Sequence, residues 1–188
     1  MIELLRWAIT FALLGIISGA ISTVGIIPFA PPNDFGLFAM FLLPGFVFGV
    51  VVGLALIYFR WPSAKRVPVW VVFATLGHFA AALCVTGMTW RLQAALPLKE
   101  QSAIMIASAF GGAVGGGMLA AANRFLVAGA RWLAPTIVGA VLGPLVLLHD
   151  AGPVLGRLLF CMIWQGGYAA ALAVAFPTSQ RAYQAKKR

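Results

Sequence analysis

The chain has 188 residues, 62% of them hydrophobic and 9% charged, with a formal net charge of +9. A soluble domain averages about 25% charged residues, so too little polar surface exists to cover a water-soluble globule, and the polytopic membrane class follows. The cations lie in short loops and a tail, where they set topology and touch anionic lipid; no basic patch with interleaved aromatics sits on a soluble element, so nucleic acid is not an expected partner.

A membrane-spanning helix needs about 20 mostly apolar residues. Six stretches qualify: Trp7–Ile27, Phe35–Phe59, Pro68–Thr89, Ala103–Asn123, Leu133–His149 and Pro153–Phe176. None shows the period-two alternation of a barrel strand. The expected fold is all-α, one six-helix transmembrane domain over residues 1–188. Ser18-Gly19-Ala20 has the small residues of a signal-peptide cleavage site. The apolar run from Trp7 to about Ala30 is too long for a signal sequence, however, and reads as a retained first helix. Pro28, Pro31 and Pro32 break the chain after it, and Asn33 and Asp34 can cap the second helix. Pro68 and Pro153 suit the first positions of helices 3 and 6, and Pro177 ends helix 6.

Orientation follows from Lys and Arg. With the N-terminus inside, Arg6, Arg60, Lys65, Arg66, Arg124, Arg131, Arg181, Lys186, Lys187 and Arg188 fall inside, against Arg91, Lys99 and Arg157 outside. That bias places both termini in the cytoplasm, in a bacterial inner membrane. Trp7, Trp61, Trp70 and Trp132 then sit at the inner interface and Trp90 at the outer. The basic tail 179–188 rests on the cytoplasmic leaflet.

Helix 6 echoes helix 3. Gly77 to Val85 reads GHFAAALCV and Gly166 to Val174 reads GGYAAALAV, with six of nine positions identical. Gly49 and Gly53 match Gly139 and Gly143, and Gly15 and Gly19 match Gly111 and Gly115, in the same order. Three helices followed by three more, inverted, would make half-repeats of 1–95 and 96–178, an architecture of many transporters. Against it stands the abundance of Ala, Gly and Leu in any membrane helix.

Small residues one turn apart let helix backbones approach closely. Gly15 and Gly19 in helix 1, and Gly111, Gly112, Gly115 and Gly116 in helix 4, are accordingly expected at helix crossings. Helix-breaking pairs, Pro44-Gly45 and Gly143-Pro144, fall in corresponding helices 2 and 5, as hinges or binding sites of transporters do. Both lie in the outer half, however, so an inverted repeat would make Pro135 the better mate of Pro44, which weakens the paired hinge.

His78 is an ionisable side chain near a helix midpoint, a costly position that usually faces the bundle interior or a cavity. Thr75 lies one turn before it. In helix 6, Cys161, Gln165, Tyr168 and Leu172 form a stripe, with Trp164 beside it. If helices 3 and 6 are mates, His78, Thr75, Trp164, Gln165 and Tyr168 converge on a site for a small, largely uncharged or aromatic solute. The competing reading is that these groups only satisfy one another across a helix interface. His149, Asp150 and Arg157 make a candidate outer vestibule, with Arg157 free to snorkel or to pair with Asp150.

Catalysis is not expected, since no nucleophile elbow or zinc-type motif is present and a His-Asp pair alone is a weak signal. Neither a metal nor a cofactor is indicated, and Cys84 and Cys161 read as buried hydrophobes. In size alone the chain resembles the substrate-binding subunits of energy-coupling-factor importers, and no residue role is carried over from them. The leading expectation is a small-solute transporter or its membrane-embedded binding subunit. The alternative is a non-transporting structural or assembly subunit of a membrane complex, partnered by other membrane subunits and the lipid bilayer.

Overall fold

The computed structural model describes residues 2–26, 34–59, 64–127, 129–152 and 154–176. Pro28, Pro31, Pro32, Asn33, Arg60, Trp61, Pro153, Pro177 and the tail 179–188 lie outside them. Among the described residues there are no strands, and six helices are long and apolar enough to cross a membrane. They are α1 (Ile2–Ile26), α2 (Asp34–Tyr58), α3 (Val67–Ala95), α4 (Glu100–Leu126), α5 (Leu133–Leu142) with its 3₁₀ continuation Gly143–Ala151, and α6 (Leu155–Ala175).

α1 starts at Ile2, before the expected Trp7, and α4 runs Glu100–Leu126, past both ends of the expected Ala103–Asn123. Two further departures have a local cause. α3 runs to Ala95, past the expected end at Thr89, because Leu92, Gln93, Ala94 and Ala95 all favour helix and Pro97 is the next breaker. The fifth span is α-helical only to Leu142, and nine residues from Gly143 then wind as a 3₁₀ helix. Pro144 stands at the start of that stretch and removes a backbone donor. Runs of 3₁₀ this long are uncommon. By contrast, α2 continues unbroken through Pro44.

Each helix packs on the next in sequence, and α6 closes the circuit on α1. Glycines line these crossings. A Cβ at Gly15 or Gly19 would meet the α6 backbone at Gln165 and Cys161. Gly111 and Gly115 face α3 at Ala81 and Gly77, while Gly112 and Gly116 face α5 at Gly139 and Pro135. The two glycine pairs of α4 thus serve two different neighbours. In lipid, where apolar side chains gain little by meeting each other, such close backbone approach is a main source of helix association.

We call the end of the bundle carrying the start of α1 and the end of α6 the terminal end, and the opposite one the far end. The terminal half is packed solid with Trp7, Phe11, Leu56, Phe59, Leu172 and Phe176. Trp7 meets Phe59 edge-on at 4.5 Å between ring centroids. Cross-links secure this end: the Arg131 N–H donates to the Ala175 carbonyl at 2.9 Å, and Arg66 Nη1 to the Phe125 carbonyl at 3.4 Å. The second puts a cation on the C-terminus of α4, where the helix dipole favours it.

Candidate functional site

The far half is not solid. It holds a partly open cavity of about 310 Å³, lined from α2, α3, α4, α6 and the 3₁₀ stretch. Each element contributes at its own period. α3 presents His78, Ala81, Ala82, Val85 and Thr86, the spacing of one α-helical face. The 3₁₀ stretch presents Gly143, Val146 and His149, which stack in line because that helix has three residues per turn. Pro44 and Gly143, one from each helix-breaking pair, both line the cavity.

α6 supplies the main wall with Arg157, Phe160, Cys161 and Trp164. Its aromatic side chains form a ladder. Phe160 and Trp164 stack at 5.9 Å with 24° between planes, and Phe160 meets the His149 ring at 5.3 Å. Trp164 meets His78 edge-on at 5.2 Å and Tyr168 at 4.8 Å. Trp164 is the floor, since a far smaller void beneath it is bounded by His78, Trp164 and Tyr168.

The expected site residues therefore divide. His78, Trp164, His149 and Arg157 line one continuous cavity, which merges the expected central site with the expected vestibule. Thr75, Gln165, Tyr168 and Asp150 are not in its lining. The Thr75 hydroxyl donates to the Val71 carbonyl of its own helix at 2.8 Å. Asp150 is exposed, and Arg157, half-buried, makes no ion pair with it.

Gln165 is fully buried and ties three helices. Its Nε2 donates to Ser22 Oγ of α1 and to the Pro44 carbonyl of α2, both at 3.3 Å. Ser22 gives its own hydrogen to the Ser18 carbonyl at 2.8 Å, so it can only accept here. Two acceptors fix which end of the amide is NH₂. Gln165 Oε1 is left with no partner among the described residues.

Tyr168 is also fully buried. Its hydroxyl donates to the Gly112 carbonyl at 2.5 Å. It sits where Gly116 and Gly139 leave room, since a Cβ on either would meet the phenol oxygen. Tyr168→Phe should therefore cost about 1 kcal/mol, the net worth of one hydrogen bond, and leave the cavity unchanged. A thermal melt of the purified variant checks this, and a loss several times larger would mean the phenol supports more than that one contact.

His78 Nδ1 and His149 Nε2 are buried without partners among the described residues. Asn123 was missed by sequence reasoning. It is fully buried in α4, with neither amide atom partnered among the described residues. It is the last residue of the expected run Ala103–Asn123, where nothing in the sequence sets it apart. Phe41, Phe160 and Ser108 of the cavity wall were also missed. The signal for Phe160 was available: it stands one turn from both Arg157 and Trp164. Among the described residues, no group of three His, Cys, Asp or Glu is placed to hold a metal ion. Comparison with protein families, curated proteins and solved structures finds no match to this chain.

Proposed function

We propose that the protein is a small-solute transporter, or the membrane-embedded solute-binding subunit of one. In this reading it sits in a bacterial cytoplasmic membrane with both termini inside, and its part is binding and passage rather than catalysis. One observation carries the reading: a cavity of about 310 Å³ occupies one half of the bundle and ends on Trp164, above a solid other half. Ligand pockets run from about 300 to 1,000 Å³, mostly apolar with a few placed polar groups. His78, His149 and Arg157 are such groups. With the termini inside, the far end faces outward and the cavity is an entry vestibule closed toward the cytoplasm.

Division into inverted half-repeats 1–95 and 96–178 would suit a transporter. In its favour, α1 meets α6 as α4 meets α3, with glycines at both crossings. Against it, Gly49 and Gly53 of α2 face α3, while in the fifth span Gly143 faces α4 and Gly139 meets α4 as well as Tyr168 of α6.

Thermal stabilisation of the purified protein by a metabolite panel tests the proposal. A bound solute at about 100 times its Kd adds about 2.7 kcal/mol to stability. The expected result is a stabilising compound whose effect falls in His78→Ala and Trp164→Phe. A panel with no stabilising compound, together with a protein subunit that co-purifies stoichiometrically, would favour the assembly-subunit reading instead.

A further inference from the structure

We propose that the cavity takes a small organic anion, an acidic head on a ring-bearing apolar body. This rests on the reading of the cavity as a solute site and names its chemical class.

Donors outweigh acceptors in the cavity wall. Among the described residues no Asp or Glu lines the cavity. Ser108 and Thr86 give their hydroxyl hydrogens to the Ile104 and Ala82 carbonyls of their own helices, at 2.6 and 3.1 Å. The groups left to meet a ligand include the Arg157 guanidinium, which can only donate, and the two imidazoles, His78 and His149. Arg157 is half-buried in an apolar setting, with no ion pair among the described residues. A cation held away from water is costly unless it is paired, and guanidinium matches a carboxylate with two parallel hydrogen bonds.

The cavity's shape suits the same class of solute. Arg157 and Trp164 stand seven residues apart on α6, about 10 Å at 1.5 Å per residue. Between them the wall is Phe160 and Trp164, nearly parallel and 5.9 Å apart. A solute with its acid at Arg157 and His149 lays a ring along this wall and ends against the His78 ring beside Trp164. The expectation of a largely uncharged solute is thereby revised at one end only, since Arg157 and the central residues share a single cavity.

The experiment is equilibrium binding to the full chain in phosphatidylcholine nanodiscs, read by tryptophan fluorescence. The probes are benzoate, 3-phenylpropionate and indole-3-acetate, each beside its neutral amide, with 3-phenylpropylamine as a cation. Decanoate and lysophosphatidic acid serve as lipid-derived anions. At least one aryl acid should bind about tenfold tighter than its amide. Arg157→Gln should reduce that preference to less than about threefold by weakening the acid more than the amide. Amides or the amine binding as well as the acids would overturn the anionic head and leave the solute site standing. Binding of decanoate or lysophosphatidic acid, but of no aryl acid, would overturn the ring-bearing body. Failure of every probe would overturn both this inference and the solute-site reading. An acid preference that survives Arg157→Gln would overturn the assignment of Arg157; the acid–amide comparison on the unaltered chain needs no variant to fold.

Discussion

Gly139→Ala should destabilise the protein by about 3 kcal/mol, at the upper end of ordinary overpacking costs. A Cβ at Gly139 would collide with the Gly112 carbonyl across the α4–α5 crossing and with the Tyr168 hydroxyl. Neither obstacle is the loose end of a flexible side chain. One is backbone, and the other is tied by its hydrogen bond to Gly112. The helices must part, and the cavity wall formed by Gly112 and Gly143 parts with them. Gly87→Ala is the matching control: it lies in α3 with no atom near its missing Cβ. There the alanine should stabilise by about 0.5–1 kcal/mol through lower backbone entropy. Melting of both variants in one detergent provides the comparison, and a Gly139→Ala protein that melts with the wild type would refute this account of the crossing.

Gln165→Glu should be comparably severe, at about 3–5 kcal/mol, the range for leaving a buried charge uncompensated. The wild-type amide points its NH₂ at two acceptors, Ser22 Oγ and the Pro44 carbonyl. A carboxylate turns acceptor against acceptor at a site with no solvent exposure. Gln165→Met should cost less than about 1.5 kcal/mol, as volume-conserving core changes do, because it also removes the unpartnered Oε1. If Glu is tolerated as well as Met, the tie between α1, α2 and α6 contributes little. Both variants are read by expression level and melting temperature.

The six spans were legible because about 20 apolar residues between prolines and charges leave few alternatives in a chain this hydrophobic. The meeting of His78 with Trp164 was legible too, since both lie near the middles of the two runs that the sequence echo pairs. Gln165 was harder. It is one residue from Trp164, yet one residue is about 100° around a helix, enough to turn Trp164 to the cavity and Gln165 to α1 and α2. A stripe through Cys161, Gln165 and Tyr168 does not separate those two faces. The cavity was not legible, because a void is what five elements fail to fill, and no local pattern encodes it. The 3₁₀ stretch was hidden for another reason. Its residues form the same apolar run as an α-helix would, and only Pro144 hints at a change of winding.

That stretch is a screw thread of a different pitch from the rest of the bundle. A 3₁₀ helix climbs about 2.0 Å per residue and turns about 120°, against about 1.5 Å and 100° for an α-helix. Over its nine residues the difference is roughly 4–5 Å of reach. Over the six from Gly143 to His149 it is about 120° of rotation. The height of the α5–α6 connection and the bearing of His149 are therefore one variable. Rewinding the thread to the α pitch would draw the connection down toward the bilayer and swing the imidazole off the cavity in the same motion. Gly152, at φ 117°, marks where the thread ends and the chain turns toward α6.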